Sequence, residues 1–273
     1  MRSKLFVPAA RPEFFTKALA GDADALSFDL EDSVPAGAKA AARARLAELL
    51  ASDAVRGSAK TIIVRVNGLD TPDFAEDVAA LRGARVDLIN LPKCEDAAVI
   101  QAAAEAVGDT RLLPTLETPR ALARAAEIAA HPAVAGLQVG LNDLFATLGI
   151  DRRNVAHVHA ALWTIRMAAG EGGCVAIDGA WPNIDDADGF RAEAELARSM
   201  GYVGKSCVHP SQVALANAVF GNDAATLDRA RRIIAAGDSA AATGRGAFTL
   251  DGEMIDRPAI EQARTLLAGG KAL

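Results

Sequence analysis

Residues 26–34 read LSFDLEDSV, a run that begins as a buried strand and ends with Asp29, Glu31 and Asp32 inside four positions. Carboxylates this close repel one another, so the cluster requires a cation, an arginine or a raised pKa. Further along, VRVN carries Arg65 and Asn67, LETP carries Glu117, and GLNDL carries Asp143. Convergent carboxylates without cysteine or histidine company suit a hard cation such as Mg²⁺. The planar guanidinium of Arg65 suits the carboxylate of a substrate. Taken singly, these residues read as rim salt bridges or helix caps. Gathered at the tips of successive strands, they read as a place where a metal and an anionic substrate are handled.

The elements that must position them form a regular series. Short β-prone runs at 4–9, 25–31, 61–67, 88–93, 111–118, 136–141, 174–179 and 205–210 alternate with longer alanine-rich, helix-prone stretches. Strict βα alternation implies parallel strands, and eight units predict a closed (β/α)8 TIM barrel of the α/β class. An open doubly wound sheet is the alternative, disfavoured because no GxGxxG follows a strand and no P-loop occurs. The barrel is expected over residues 1–220. Residues 221–273 are expected to form a C-terminal helical lid, with a helix near 223–236, a loop GDSAAATGRGAF and a helix beginning around Pro258. The glycines of this segment suit a lid that moves or crosses to another subunit.

Side chains alternate along a strand, so the apolar set identifies the residues that face inward. Leu26, Phe28 and Leu30 belong against helices, which turns Ser27, Asp29 and Glu31 into the barrel. Ile62, Val64 and Val66 do the same for Arg65 and Asn67. Lys93, just after the fourth strand, is placed to neutralise the carboxylates or to touch substrate. Inward residues near the C-terminal strand ends build the site in this architecture.

Composition narrows the function classes. The chain is 51% hydrophobic and 23% charged with a net charge of −6, which argues against coating nucleic acid or an anionic membrane. Three cysteines, widely spaced in apolar surroundings, read as reduced buried thiols. No run approaches the roughly 18 apolar residues of a membrane span, and MRSKLFVPAARPEFF has no signal-peptide core. A soluble, cytoplasmic protein is expected.

The stretches SKLFVPAARPE, FDLEDSVPAGAKAAAR, VRVNG, LPKCE, LETP, GLNDL, GYVGKSCVHPSQV and GEMIDRP, in this order from about residue 2 to 268, closely resemble the citrate lyase β-subunit-like family. That family belongs to the HpcH/HpaI aldolase superfamily and includes citramalyl-CoA and malyl-CoA lyases. The resemblance implies a Mg²⁺-dependent barrel that cleaves or forms a C–C bond beside a CoA thioester, with a small oxo acid as the other partner. It also implies a homo-oligomer, a trimer or hexamer. Carried over residue by residue, Glu117 and Asp143 would bind the metal. Arg65 would hold the oxo-acid carboxylate, with Asp29, Glu31, Asn67 and Lys93 lining or buttressing the substrate pocket. Phe6, Arg11 and Lys17 would lie along CoA. Asp256 of GEMIDRP would be the catalytic aspartate that reaches a neighbouring subunit; its plainer reading is an N-cap for the helix that follows. Position 142 departs from the pattern, with Asn where Glu is common. The remaining alternatives are a citrate lyase β-subunit acting on an acyl-carrier-protein thioester, a CoA-independent 2-oxo-acid aldolase and a non-catalytic metabolite-binding barrel.

Overall fold

Eight parallel strands run in the order β7-β6-β5-β4-β3-β2-β1-β8. They are β1 (Ser3–Pro8), β2 (Ala25–Asp29), β3 (Thr61–Arg65), β4 (Leu88–Leu91), β5 (Arg111–Leu116), β6 (Gly136–Val139), β7 (Val175–Ile177) and β8 (Lys205–Cys207). A parallel bridge between Asp178 and Lys205 joins β7 to β8 and completes the ring. The computed structural model describes residues 1–268. Met1–Phe220 forms one compact unit, and a second begins at Gly221.

The intervening helices are α1 (Phe15–Ala20), α2 (Lys39–Leu50), α3 (Asp53–Arg56), α4 (Pro72–Leu81), α5 (Ala97–Val107), α6 (Pro119–Ala123), α7 (Ala125–Ala129), α8 (Leu141–Leu148), α9 (Val155–Glu171), α10 (Ala187–Ser199) and α11 (Pro210–Phe220). Their starts are written locally. Asp96, Thr118 and Asp186 each accept a backbone N–H of the first turn, at 3.1, 3.1 and 2.8 Å, and Pro72 and Pro119 occupy first-turn positions that need no donor. β8 ends three residues before the expected position because His209 and Pro210 already open α11.

The expected strand faces hold. Leu26, Phe28, Leu30, Ile62, Val64 and Val66 are buried in the layer between strands and helices. Inside the barrel, Ala25, Ile63, Leu88, Leu113 and Ile177 form an apolar plug. Other inward side chains form a polar cluster. Buried Lys4 donates to Asn90 Oδ1 (3.2 Å) and to Gln138 Oε1, and Asn90 donates to Thr115 Oγ1 at 2.9 Å.

The second unit differs from expectation. Helix α12 (Ala224–Ala242) runs through the GDSAA stretch read as loop, and Phe248–Leu250 (β9) pairs antiparallel with Glu253–Ile255 (β10) before α13 (Arg257–Leu267). Gly237 does not break α12: a Cβ there would come within 2.9 Å of Ile260 Cδ1, so the glycine lets α13 pack closely. The hairpin turns at Asp251-Gly252, with φ of 52° and 84°, the Asp-Gly signature of a two-residue turn. No helix among the described residues is long and apolar enough to cross a membrane.

Candidate active site

The site begins with strand register. Asp29 and Arg65 are direct partners across β2 and β3, both inward, and their side chains meet as a two-bond pair: Arg65 Nε donates to Asp29 Oδ1 at 2.7 Å and Nη2 to Oδ2 at 2.8 Å. Asp29 also accepts the backbone amides of Glu31 (3.0 Å) and Ser33 (3.2 Å), which fixes the turn after β2. Burial alone would raise the Asp29 carboxyl, but the Arg65 hydrogen bonds and charge outweigh it and hold it below its ordinary value. Two edges of the guanidinium that the sequence offers to a substrate are therefore occupied by the protein. The remaining nitrogen, Nη1, lies 2.8 Å from Glu31 Oε2.

That contact is at ion-pair distance without hydrogen-bond alignment, so buried Glu31 Oε2 has no donor among the described residues. Its other oxygen lies 3.2 Å from Lys93 Nζ. Burial raises the Glu31 carboxyl above its ordinary value against the opposing charge of Arg65. An unsatisfied buried carboxylate oxygen beside an arginine is a place for a ligand or water.

Glu117 stands just past the tip of β5. Its Oε1 accepts the Lys93 backbone amide at 2.7 Å, a bond made possible by the left-handed conformation of Lys93, φ 50°, uncommon for a residue other than glycine. Burial, with the charges of Asp143 and Glu31 added, pushes the Glu117 carboxyl up to about 8 despite that amide. Asp143 sits in the first turn of α8, exposed, and its carboxylate has no hydrogen-bond or ion-pair partner among the described residues. Asp143 is near enough for its charge to raise Glu117, and two neighbouring carboxylates of this kind suit a hard divalent cation whose other ligands are water or substrate oxygens. No cluster of three or more His, Cys, Asp or Glu side chains placed to hold a metal ion occurs among the described residues.

Gly140, between β6 and α8, gives Glu117 its room. A Cβ at this position would lie 2.5 Å from Glu117 Cβ and 2.6 Å from its Oε2. Gly140→Ala is expected to weaken divalent-cation binding about tenfold or more, read by calorimetric titration; unchanged affinity would show that Glu117 does not set it.

The structure brings Asp29, Glu31, Arg65, Lys93, Glu117 and Asp143 to one end of the barrel. Phe6 joins them: its ring centroid lies 5.0 Å from Arg65 Cζ and 4.1 Å from Lys4 Nζ. Asn67 does not join. It is buried, donating to Asp77 Oδ2 (2.7 Å) and Leu30 O (3.1 Å) and accepting from Lys39 Nζ (2.6 Å), so every polar atom of its side chain serves the scaffold. Lys17 and Phe6 contribute to a groove of about 550 Å³ that runs between α1 and α11 and is lined mainly by apolar groups, including Phe14, Val208 and Val213. Arg11 is exposed, paired to Glu13 at 2.5 Å and stacked on Phe14. Asp256 belongs to the second unit, where its carboxylate faces the amide of Ala259 at 3.5 Å as the N-cap of α13.

Comparison with known proteins places the chain in a family. The family model described as HpcH/HpaI aldolase/citrate lyase matches residues 2–210. A (3S)-malyl-CoA thioesterase of Cereibacter sphaeroides is 37% identical over 273 residues, covering 100% of this chain and 95% of that protein. An L-malyl-CoA/beta-methylmalyl-CoA lyase of the same species is 35% identical, covering 97% of this chain and 93% of its own length. Among solved structures, the protein CitE of Mycobacterium tuberculosis, in complex with magnesium, acetoacetate and coenzyme A, superposes with a TM-score of 0.79 at 35% identity and covers 98% of both chains. The carboxylates, the arginine and the barrel that presents them thus sit in a chain that belongs to the HpcH/HpaI aldolase/citrate lyase family.

Proposed function

We propose that this protein is a Mg²⁺-dependent C–C lyase that cleaves a 3-hydroxy-dicarboxylyl-CoA thioester. Citramalyl-CoA would give acetyl-CoA and pyruvate; malyl-CoA would give acetyl-CoA and glyoxylate. The observation that carries this reading is the nearness of the Glu117 and Asp143 carboxylates to each other and of Arg65 to Glu117 at one end of the barrel. The magnesium, acetoacetate and coenzyme A of the CitE complex support it.

Glu117 and Asp143 would hold the cation. When bound, it supplies Lewis-acid polarisation of the substrate's hydroxyl and neighbouring carboxylate oxygens. Arg65, rigidly seated on Asp29, would present Nη1 to the substrate carboxylate and so align the C–C bond to be broken. In the cleavage the hydroxyl proton would pass to water, the freed oxygen pair would form the oxo group of the released acid, the C–C bonding pair would pass to the thioester as its enolate, and the enolate carbon would take up a proton. Asp256, presented by the C-terminal lid to a neighbouring subunit of a trimer or hexamer, would give that proton. The groove holding Lys17 and Phe6 would take the apolar length of CoA, with Arg11 nearer its phosphates.

Thioester hydrolysis is a second reading, supported by the malyl-CoA thioesterase that matches this chain along its whole length. Buried Glu31, with one oxygen lacking a donor, is the group that would hold the attacking water. The two reactions leave different products. Malyl-CoA and citramalyl-CoA are supplied with Mg²⁺ or EDTA, and acetyl-CoA, oxo acid and free CoA thiol are followed together. Equal release of acetyl-CoA and oxo acid, lost with EDTA and cut at least a hundredfold in Asp256→Ala, is the expected result. Free thiol with malate or citramalate would replace the lyase by a thioesterase.

A further inference from the structure

Asn142 and Asp143 are the exposed residues of the first turn of α8, whose other members, Leu141 and Leu144, are buried in the core. Gly140 at the N-cap of α8 offers no side chain, and the helix is only eight residues long. The neighbouring residue, Asn142, is gripped instead from outside: Arg152, in the loop between α8 and α9, donates through Nη1 to Asn142 Oδ1. The same guanidinium binds Glu193 of α10 with Nε at 3.0 Å and Nη2 at 2.5 Å, and donates from Nη2 to Ala180 O at 2.8 Å. It also lies 5.1 Å from the Trp181 ring centroid. Glu193 in turn accepts from Lys205 Nζ at 2.7 Å, and wholly buried Lys205 donates to Asp178 Oδ2 at 2.6 Å. Asp178 and Lys205 are the bridge that closes the barrel.

We propose that Arg152 is a positioning residue for the cation site, transmitting the rigid closure of the barrel through Glu193 to Asn142 and thereby fixing the direction in which Asp143 presents its carboxylate. The proposal rests on the reading of Asp143 as a cation ligand. Its physical basis is the contrast along the chain of contacts. Asp178, Lys205 and Glu193 are buried and mutually paired, whereas the side chains of Asn142 and Asp143 on the first turn of α8 are exposed, and that of Asp143 has no partner of its own among the described residues. A guanidinium with all its edges in use is a rigid connector between the two. Because position 142 is an amide, Arg152 finds a neutral acceptor on that turn, and the only carboxylate there is Asp143.

The test uses the full-length protein and reads Mg²⁺ binding by calorimetry, thermal midpoint, and the Mg²⁺ dependence of turnover. Asn142→Ala cuts only the last link and leaves the ion pairs intact. It is expected to weaken Mg²⁺ binding about tenfold at an unchanged thermal midpoint, raising the Mg²⁺ concentration for half-maximal rate while kcat at saturating Mg²⁺ stays within about twofold. Arg152→Met should weaken binding at least as much, and Arg152→Lys, which keeps a charge but loses the fork, should recover only part. Asp143→Asn is the control. If it abolishes Mg²⁺ binding while Asn142→Ala binds like the wild type, the positioning role is overturned and the ligand reading stands. If Asp143→Asn binds Mg²⁺ normally, the ligand reading fails and takes the positioning role with it.

Discussion

Arg65→Ala is expected to lower turnover by about a thousandfold and to cost about 3 kcal/mol of folding stability at neutral pH, two losses with separable causes. The first follows from Nη1, the one guanidinium nitrogen not bonded to Asp29, which lies 2.8 Å from Glu31 Oε2 and is the one proposed to meet the substrate carboxylate. The second follows from Asp29, which is 2% exposed and loses both of its charged hydrogen bonds. In the wild type Asp29 has a folded pKa below its unfolded one, so the stability it contributes is present above the unfolded value and fades as pH falls through the folded value. Without Arg65, burial is opposed only by the amides of Glu31 and Ser33, and the Asp29 carboxyl rises. The variant then carries a penalty at neutral pH that is relieved on acidification. The gap between the two proteins should be widest near pH 7 and should close below about pH 4. Chemical denaturation at the two pH values measures this. The double variant Asp29→Asn, Arg65→Ala should regain much of the stability and none of the activity. Recovery of activity in the double variant would mean that Arg65 acts on substrate only by neutralising Asp29.

That pair also marks where the sequence stopped being informative. Alternation alone turned Asp29 and Arg65 inward, because Leu26, Phe28, Ile62 and Val64 leave no other face for them. Their attachment to each other depends on the β2–β3 register, which no single strand encodes. Asn67 was placed inward by the same alternation, yet β3 ends at Arg65; beyond the last strand residue the two-residue period no longer applies, and the side chain turns to Asp77. Glu117 and Asp143 were visible as carboxylates at strand ends, but not the two backbone features that seat Glu117. One is a lysine at positive φ; the other is the missing Cβ of Gly140. Both depend on neighbours more than twenty residues away. In the second unit the expectation of two helices and a loop missed the hairpin, although FTLDGEMI has two short alternating runs around Asp-Gly, the local signal for a tight turn. Gly237 shows the reverse, a glycine that reads as a loop in isolation and is a packing contact in the fold.

Mg²⁺ uptake should release nearly one proton at pH 7, and its apparent affinity should climb about tenfold per unit between pH 6 and 7, then flatten above pH 8. The cause is Glu117, whose carboxyl is pushed up to about 8 by burial and by the nearby charges of Asp143 and Glu31. One unit below that value the carboxyl is about 90% protonated, and a cation must displace the proton to be bound. The same raised pKa makes the metal-free fold less stable as pH rises, since the charged form is disfavoured only in the folded state; the loss grows from the unfolded carboxyl range up to about pH 8 and is then complete. Bound Mg²⁺ removes that repulsion, so the stabilisation it gives should be greater at pH 8 than at pH 6 at equal free metal. Calorimetry in two buffers of different ionisation enthalpy counts the proton directly, and thermal midpoints with and without Mg²⁺ give the stability side. Glu117→Gln should bind Mg²⁺ weakly, release no proton, and show a metal-free midpoint that no longer falls toward pH 8. An affinity independent of pH from 6 to 8 in the wild type would place Glu117 outside the cation's reach, and the pairing with Asp143 would have to be read as a rim of charge alone.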